Sequence, residues 1–592
     1  MSPFEHGECY VVGDGGETDL DCGAYERFLD INLNANNNLT TGKIYGQVLA
    51  AERKGEYLGK TVQVIPHVTN AIMDWIEDVA HTPVDGQAGA PDVCLVELGG
   101  TVGDIESLVY LEALRQFRGR VGQENMIFVH VSLVPVVGAV GEQKTKPTQH
   151  SVKELRSVGI NPDMLICRST SPLEADVRSK LALFTQVPVN AVLAVHDVPN
   201  LYHVPLILAQ QGAHDVVIKH LGLASRVKPM DIKPWAQLAA TVDELRTDEP
   251  IVVALVGKYT GLSDSYLSVI KALKHASMAV RRRVEIAWID ATGLEAPEET
   301  SPEHAACWRE LRAAHAVLIP GGFGTRGVAG KLAAAHYART HKVPMLGICL
   351  GMQVAVIEFC REVLGMPRAH STEFSPDTPE PVIVNMPEHS TTHLGGTMRL
   401  GARTTILRPR HDEQTTWLQD LYGPVPAVLE RHRHRYEVNP ELLPRLVEAG
   451  MFITGTDERG VRAVAVELSR EAHPYYVGVQ YHPELISRPL APSPLFVGLV
   501  RAAAGTLADS VPLLEGAQSI AVRTATHIRP ALASTPIAPS SDSVRLRADV
   551  ALSTTSRTEA PLDLHPVAPQ SHLIGRAPSP GLASTEALHH GE

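Results

Sequence analysis

The stretch Val343-Pro-Met-Leu-Gly-Ile-Cys349-Leu-Gly351-Met-Gln353 reads as a short apolar strand that turns abruptly into a helix. Small residues flanking the cysteine permit the sharp strand-to-helix turn that exposes a nucleophile at the carboxyl edge of a sheet. A helix N-terminus just beyond it favours a thiolate over a thiol. Taken alone, Cys349 is equally an inert buried thiol, since cysteine is among the most buried residue types.

A base and an orienting carboxylate follow at His482-Pro-Glu484, directly after the strand-like Tyr476-Val-Gly-Val-Gln-Tyr481. Alternate residues leaving a strand face the same side, so both side chains can approach one nucleophile. Ahead of the cysteine, Ala316-Val-Leu-Ile319 runs into Pro320-Gly-Gly-Phe-Gly324, a turn whose free amides suit a developing oxyanion. In isolation, a capping histidine and a plain glycine turn would account for these two motifs.

Outward from this centre, apolar runs at Val93–Val96, Met126–Leu133, Met164–Cys167 and Ala191–Val195 alternate with helical patterns such as Ser151–Val158. That order predicts a second α/β domain with a mainly parallel sheet. The 592 residues exceed one hydrophobic core. The expected divisions are a first domain at 1–224, a linker at 225–248, a second domain at 249–505 and a tail at 506–592. From Val511 onward there is no Phe, Tyr, Trp, Met, Cys or Lys. Ordering costs about 1–2 kcal/mol per residue, which such a segment has little apolar surface to offset, so the tail is expected to be disordered.

Fifty-three basic against 66 acidic residues leave a net charge of −13, which disfavours nucleic-acid or anionic-membrane binding and leaves nucleotide binding through local lysines open. The longest suspicious apolar stretch, Met126–Val140, contains His130 and Pro135 and is shorter than the roughly 20 residues that cross a bilayer. Residues 1–6 offer no basic-then-apolar leader, so a cytoplasmic location is expected. Seven cysteines without CxxC spacing argue against a disulfide framework or a structural zinc site.

The cysteine elbow, the HPE pair and the glycine turn, in this order, resemble the class I (triad) glutamine amidotransferases. The resemblance implies Cys349 as nucleophile, His482 as general base and acid, Glu484 as its orienting carboxylate, and the amides of Gly321 and Leu350 as oxyanion hole. Two further stretches, Ser371-Thr-Glu373-Phe374 and Glu430-Arg-His-Arg-His-Arg435-Tyr-Glu-Val-Asn439, resemble those of CTP synthases. Glu373 and Arg435 would hold the charged end of glutamine, alongside Gly322 and Leu350, Gly351, Met352 and Gln353. By default a run such as Arg431–Arg435 is a solvated basic face. His432 and His434 lack the third partner a metal site needs. Gly395–Gly401, with Arg399, resembles the family's lid loop, which closes on the glutaminase when GTP binds.

In the first half, Asp14, Glu17, Asp19 and Asp21 form an acidic run, and Glu97 precedes Gly99-Gly-Thr-Val-Gly-Asp104-Ile105-Glu106. Paired carboxylates at strand ends suit Mg²⁺, although acidic residues alone are usually solvated surface. Lys144-Thr145-Lys146-Pro147-Thr148-Gln149 places two lysines just before a helix, a phosphate-compatible turn or simply a basic loop. Residues 1 to about 222 resemble the synthase domain of CTP synthase through these motifs and through Glu17–Phe28, Asn38–Tyr45 and Gly59–His67. A phosphate-loop-NTPase-like parallel sheet is thereby implied. So are Asp21 and Glu97 as Mg²⁺ ligands, and Asp104, Ile105, Glu106, Lys144–Gln149 and Lys180 as contacts for UTP or inhibitory CTP. His196, Asp197 and Val198 would lie by the adenine of ATP, and His6 by the ammonia passage, where Cys9 replaces a more usual valine. Homotetramers and filaments are the assemblies implied.

The resemblance also implies a glycine-rich phosphate loop ending Gly-Lys-Gly, which residues 1–592 do not contain. Gly55-Glu-Tyr-Leu-Gly59-Lys60-Thr61 has one residue too few between its glycines and follows no apolar strand. A chain starting at Met1 is therefore expected to hydrolyse glutamine without forming CTP. The alternatives to a CTP synthase are a regulatory or filament subunit and an amidotransferase with another nucleotide acceptor; the Lys144–Gln149 stretch and the domain order speak against the latter.

Overall fold

The computed structural model describes residues 3–138, 141–297, 300–387, 398–409 and 415–507. The tail from residue 508 and the Gly395–Thr397 part of the expected lid lie outside the described residues.

In the first half, three parallel strands, β1 (Val129–Leu133), β2 (Met164–Ser169) and β3 (Val192–His196), pair in that order. Helices Lys146–Ser157 and Ala175–Thr185 fall between the strands in sequence, and Val152 and Leu181 share a core with Leu165, Cys167 and Val192. The expected strand at Val93–Val96 does not form. The run is irregular, and Leu95 is 76% exposed. Four apolar residues express a preference for burial but do not specify a pairing edge. The edge strand β1 correspondingly leaves Val131 and Leu133 exposed.

The second half holds a nine-stranded sheet. Its strands are β4 (Ile251–Gly257), β5 (Val284–Asp290), β6 (Ala316–Ile319), β7 (Met345–Ile348), β8 (Arg399–Leu407), β9 (Ala427–His434), β10 (Met451–Thr456), β11 (Ala463–Leu468) and β12 (Tyr476–Val479). The order is β9-β8-β10-β11-β12-β7-β6-β4-β5. From β12 to β5 the pairs are parallel, and from β9 to β12 antiparallel. Parallel strands covered on both faces carry apolar side chains at every position. Val317 and Ile319 of β6 enter one core, and Ala316 and Leu318 the other. Helices Val328–Thr340 and Leu350–Glu362 cover the first face, and Leu267–Val280 and Pro494–Ala503 the second. Among the described residues no helix is long and apolar enough to cross a membrane.

The halves are laced together by residues near the start of the chain. The hairpin Tyr10–Val11/Glu17–Thr18 lies against β8 and β9: the Ala402 amide donates to the Gly13 carbonyl at 2.8 Å, and the Glu8 amide to the Asp264 carbonyl at 2.9 Å.

Between β7 and its helix the chain turns on Cys349 alone, held at φ 53° and ψ −103°. The turn exists because its flanks lack side chains: a Cβ on Gly351 would fall 1.9 Å from the Ile319 carbonyl oxygen, and one on Gly347 2.7 Å from the Gly351 backbone. Gly351→Ala is therefore expected to cost about 3 kcal/mol or more by forcing β6 and the helix apart. A melting midpoint unchanged from the parent in differential scanning calorimetry would show that the helix can shift freely.

Candidate active site

Cys349 is 7% exposed at the carboxyl edge of the sheet, its amide donating to the Val479 carbonyl at 2.7 Å. The expected strand Tyr476–Tyr481 ends at Val479, so a turn rather than strand alternation presents His482 and Glu484. The turn is tied down at both ends: the His482 amide donates to the Arg431 carbonyl at 2.8 Å, and the Leu485 amide to the His482 carbonyl at 3.2 Å. His482 Nδ1 lies 2.8 Å from Glu484 Oε1. Nε2 has no hydrogen-bond partner among the described residues. A Cβ on Gly321 would meet His482 Cε1 at 3.0 Å and Cys349 Cβ at 3.5 Å, so a glycine there leaves room between thiol and ring.

Burial works against charge on His482, but the Glu484 carboxylate and the Cys349 sulfur more than offset it and raise its pKa to about 10. Both the carboxylate and the sulfur favour the charged ring. Gln480 Nε2 donates to the Cys349 sulfur at 3.4 Å. Gln480 Oε1 in turn accepts from Gln353 Nε2 at 3.2 Å, which commits the Gln353 amide to the wall of the site.

Two buried lysines shape the glycine turn. Lys331 Nζ donates to the Pro320 carbonyl at 2.6 Å, and Lys258 Nζ to the Phe323 carbonyl at 3.3 Å and to that of Gly324. A trans peptide points its amide opposite its carbonyl, so holding the Pro320 oxygen at Lys331 turns the Gly321 N–H the other way. Burial pushes both ammonium groups down, Lys258 to about 8 even with Glu373 partly offsetting it.

A cleft beside the thiol is lined by Gly322, Phe323, Cys349, Leu350, Gln353, Glu373, Arg433, His434, Arg435 and Tyr436. Glu373 brings a carboxylate and Arg435 a guanidinium to it, a pair complementary to an amino acid's two charged groups. The Arg431–Arg435 run is not a solvated face. Arg431 turns into the interior, Arg433 pairs with Glu17 at 2.8 Å, and Arg435 lines the cleft. His432 Nδ1 and His434 Nε2 lie 3.1 Å apart, each bearing on the other. Arg399, at the start of β8, pairs with Glu458 at 3.3 Å.

In the first half, Lys144 lies 2.6 Å from Glu142, whose carboxyl is held below its usual range first by Lys144 and in smaller part by Lys180. Lys180 thus stands within electrostatic range of the same carboxylate. Thr145 and Thr148 are pinned inside: Gln149 Nε2 donates to Thr145 Oγ1 at 3.0 Å and Thr148 Oγ1 to the Leu133 carbonyl at 3.1 Å. Lys146 opens the helix with Pro147 and lies 5.7 Å over the Phe184 ring. Asp104 caps the helix Ile105–Val121, leaving Ile105 79% exposed and Glu106 in its first turn. Burial, then neighbouring acids, raise both Asp21 and Glu97, and Glu97 feels Asp21 directly. Such a repelling pair of hard oxygen donors fits a divalent cation. Among the described residues no place gathers three or more His, Cys, Asp or Glu side chains for a metal, so any such ion would take its other ligands from water and phosphate oxygens. His196 ends β3, and Asp197 pairs with Arg168 at 3.6 Å beside Val198. His6 is exposed beside Glu5, and the Cys9 thiol donates to Glu17 at 3.6 Å.

Residues 1–223 fit the family described as CTP synthase N-terminus, and residues 262–502 the one described as Glutamine amidotransferase class-I. A CTP synthase of Dictyostelium discoideum is 53% identical over 515 residues, covering 85% of this chain and 90% of that one. CTP synthase 1 of Homo sapiens is 51% identical over 511 residues, covering 86% and 85%. The chain belongs to the CTP synthase family. A solved structure described as the glutaminase domain of Trypanosoma brucei CTPS with bound acivicin is 34% identical, covers 43% of this chain and 94% of its own, and superposes with a TM-score of 0.39.

Within this CTP synthase chain, sequence reasoning missed Lys258, Lys331, Gln480 and Arg433. Gln480 carried the signal that found His482, since both stand at alternate positions after β12. Lys258 directly follows β4 at the carboxyl edge of the sheet. Lys331 lies on a helix and gave none.

Because the Glu484 charge is the leading influence raising His482, Glu484→Gln should move the ring's titration from about 10 toward its ordinary value near 6.5. Nitrogen-15 histidine NMR against pH reads this directly, and an unmoved titration would detach Glu484 from His482.

Proposed function

We propose that the chain acts as a glutamine-hydrolysing CTP synthase, a ligase that aminates UTP with ammonia released from glutamine. The observation that carries this reading is the strained Cys349 elbow facing the His482–Glu484 pair, in a chain about half identical to CTP synthases over most of its length.

Glutamine would lie in the cleft, its ammonium toward Glu373 and its carboxylate toward Arg435, with Gly322 and Leu350–Gln353 as walls. The Cys349 sulfur attacks the side-chain amide carbon, and the oxygen that becomes negative is met by the Gly321 and Leu350 amides. The proton that leaves the Cys349 thiol passes to His482 and from the ring to the departing nitrogen, so ammonia leaves and a thioester remains. Water then attacks that thioester with the neutral ring as base, releasing glutamate.

In the synthase half, Lys144, Lys146 and Lys180, with Thr145, Pro147, Thr148 and Gln149, would bind the UTP phosphates and base. Asp104, Ile105 and Glu106 would extend the site to inhibitory CTP, and His196, Asp197 and Val198 would border ATP. Asp21 and Glu97 would hold Mg²⁺, which when bound supplies charge neutralisation for the ATP phosphates. Where the family's phosphate loop is supplied, ATP phosphorylates the uracil 4-oxygen, and ammonia passing by His6 displaces that phosphate. GTP acting at the Arg399 segment, tetramers and filaments, and a cytoplasmic location complete the proposal.

Cys349→Ala should lower glutamine hydrolysis at least about a thousandfold. Parental ammonia release in a coupled dehydrogenase assay would overturn the triad assignment. Lys144→Ala or Lys146→Ala should each weaken UTP and CTP binding about tenfold, the loss of one charge-assisted contact. Unchanged affinities by calorimetry in both variants would remove that turn from the nucleotide site.

A further inference from the structure

Glu26, on helix Leu20–Leu29 in the nucleotide-binding half, has no exposed surface. Its carboxylate accepts from Arg431 Nη2 at 2.9 Å, Arg488 Nη2 at 2.8 Å, the Leu33 amide at 2.8 Å and the Tyr10 hydroxyl at 2.5 Å. Arg431 and Arg488 are 2% and 1% exposed. Both arginines belong to the backbone that frames the catalytic turn. The Arg431 carbonyl accepts the His482 amide at 2.8 Å. Arg488 Nη1 donates to the Leu485 carbonyl at 3.3 Å, and the Tyr10 hydroxyl lies 2.7 Å from the same oxygen. Arg431 Nη1 also donates to the Tyr10 hydroxyl and the Val11 carbonyl, each at 2.9 Å.

We infer that Glu26 is a positioning residue for glutamine hydrolysis: by holding Arg431 and the Leu485–Arg488 segment it fixes the backbone from which His482 and Glu484 project. The first half of the chain thereby completes the geometry of a site whose reacting groups all lie in the second. The inference rests on the glutaminase reading above. Glu26 makes no hydrogen bond to Cys349, His482 or Glu484 among the described residues, so its effect runs through the two arginines. A neutral amide in its place would leave two buried guanidinium charges facing each other without a counter-charge. Their separation would drag the Arg431 carbonyl, and with it the His482 ring. A misplacement of about 1 Å in a reacting group can cost on the order of a hundredfold in rate. Glutamine binding should be spared, because Glu373 and Arg435 stand outside this network.

The test uses the full chain and counts competent sites by stoichiometric labelling of Cys349 with a diazoketone analogue of glutamine, so that molecules lost to unfolding drop out of the comparison. Glu26→Gln should lower kcat per labelled site at least tenfold with the glutamine KM within threefold of the parent, and Glu26→Asp should recover a substantial part of that loss. Tyr10→Phe removes only the hydroxyl that joins Glu26, Arg431 and the Leu485 carbonyl, and should lower kcat per site two- to fivefold. If Glu26→Gln fails to fold, Tyr10→Phe decides. The inference is overturned by a kcat per site within 1.5-fold of the parent in Tyr10→Phe, by one within twofold in a folded Glu26→Gln, or by a KM that rises in step with the loss of kcat. The parental chain and Cys349→Ala run alongside: a parent that labels and hydrolyses glutamine while Cys349→Ala does neither leaves the glutaminase reading standing whatever Glu26 does.

Discussion

A cysteine held at φ 53° between a buried strand and a buried helix is the constraint around which the second half is organised. Such a backbone costs about 1–3 kcal/mol and persists only where its surroundings over-determine it. Here they do. The Cys349 amide is bonded to β12, its carbonyl accepts from Gln353, and the two flanking glycines let β6 and the helix close to backbone contact. One turn therefore positions the sulfur, the Leu350 amide and the neighbouring Pro320–Gly324 loop together, and the loop's carbonyls are drawn backward by two lysines that water does not reach.

The charges are arranged with the same economy. Glu484 and the sulfur outweigh burial in raising His482, while Lys258 and Lys331 are pushed downward by theirs. The lysines serve as hydrogen-bond donors to the carbonyls of the glycine turn. The nearby Glu430 carboxyl is raised to about 8 by burial, with the Tyr422 hydroxyl on it at 2.6 Å. Among the described residues, Glu484 is the carboxylate hydrogen-bonded to the ring.

What was legible in the sequence follows from this. Gly-x-Cys-x-Gly and Pro-Gly-Gly-Phe-Gly could be read because steric limits on the backbone leave few residue types for those positions. His482 and Glu484 were found for a partly wrong reason: strand alternation was expected, whereas β12 ends at Val479 and a turn does the work. Val93–Val96 misled because apolarity does not choose a partner strand. Asp21 and Glu97 were paired through the family resemblance, and in the structure Glu97 lies within electrostatic range of Asp21. Lys331 and the separate fates of Arg431 and Arg433 were invisible, because the two arginines depend on partners hundreds of residues away and Lys331 on a single helical register, whereas Arg435 was expected at the cleft from the family resemblance.

The deepest of those partners is Glu26. Burying a carboxylate and two guanidinium groups costs desolvation free energy that their attraction roughly returns, so such a cluster contributes little net stability compared with apolar side chains of the same volume. Its consequence is geometric. Charged hydrogen bonds between buried groups hold donor and acceptor to narrow distances and directions, whereas an apolar patch of equal area would let Arg431 and the following turn slide. Since the Arg431 carbonyl carries the His482 amide, rigidity conferred from residues 10–33 is transmitted to the ring that moves the proton. On the proposed function, the two halves of the chain are thus joined at the backbone of His482, the proposed base, where a displacement of either would be felt as a change in rate rather than in binding.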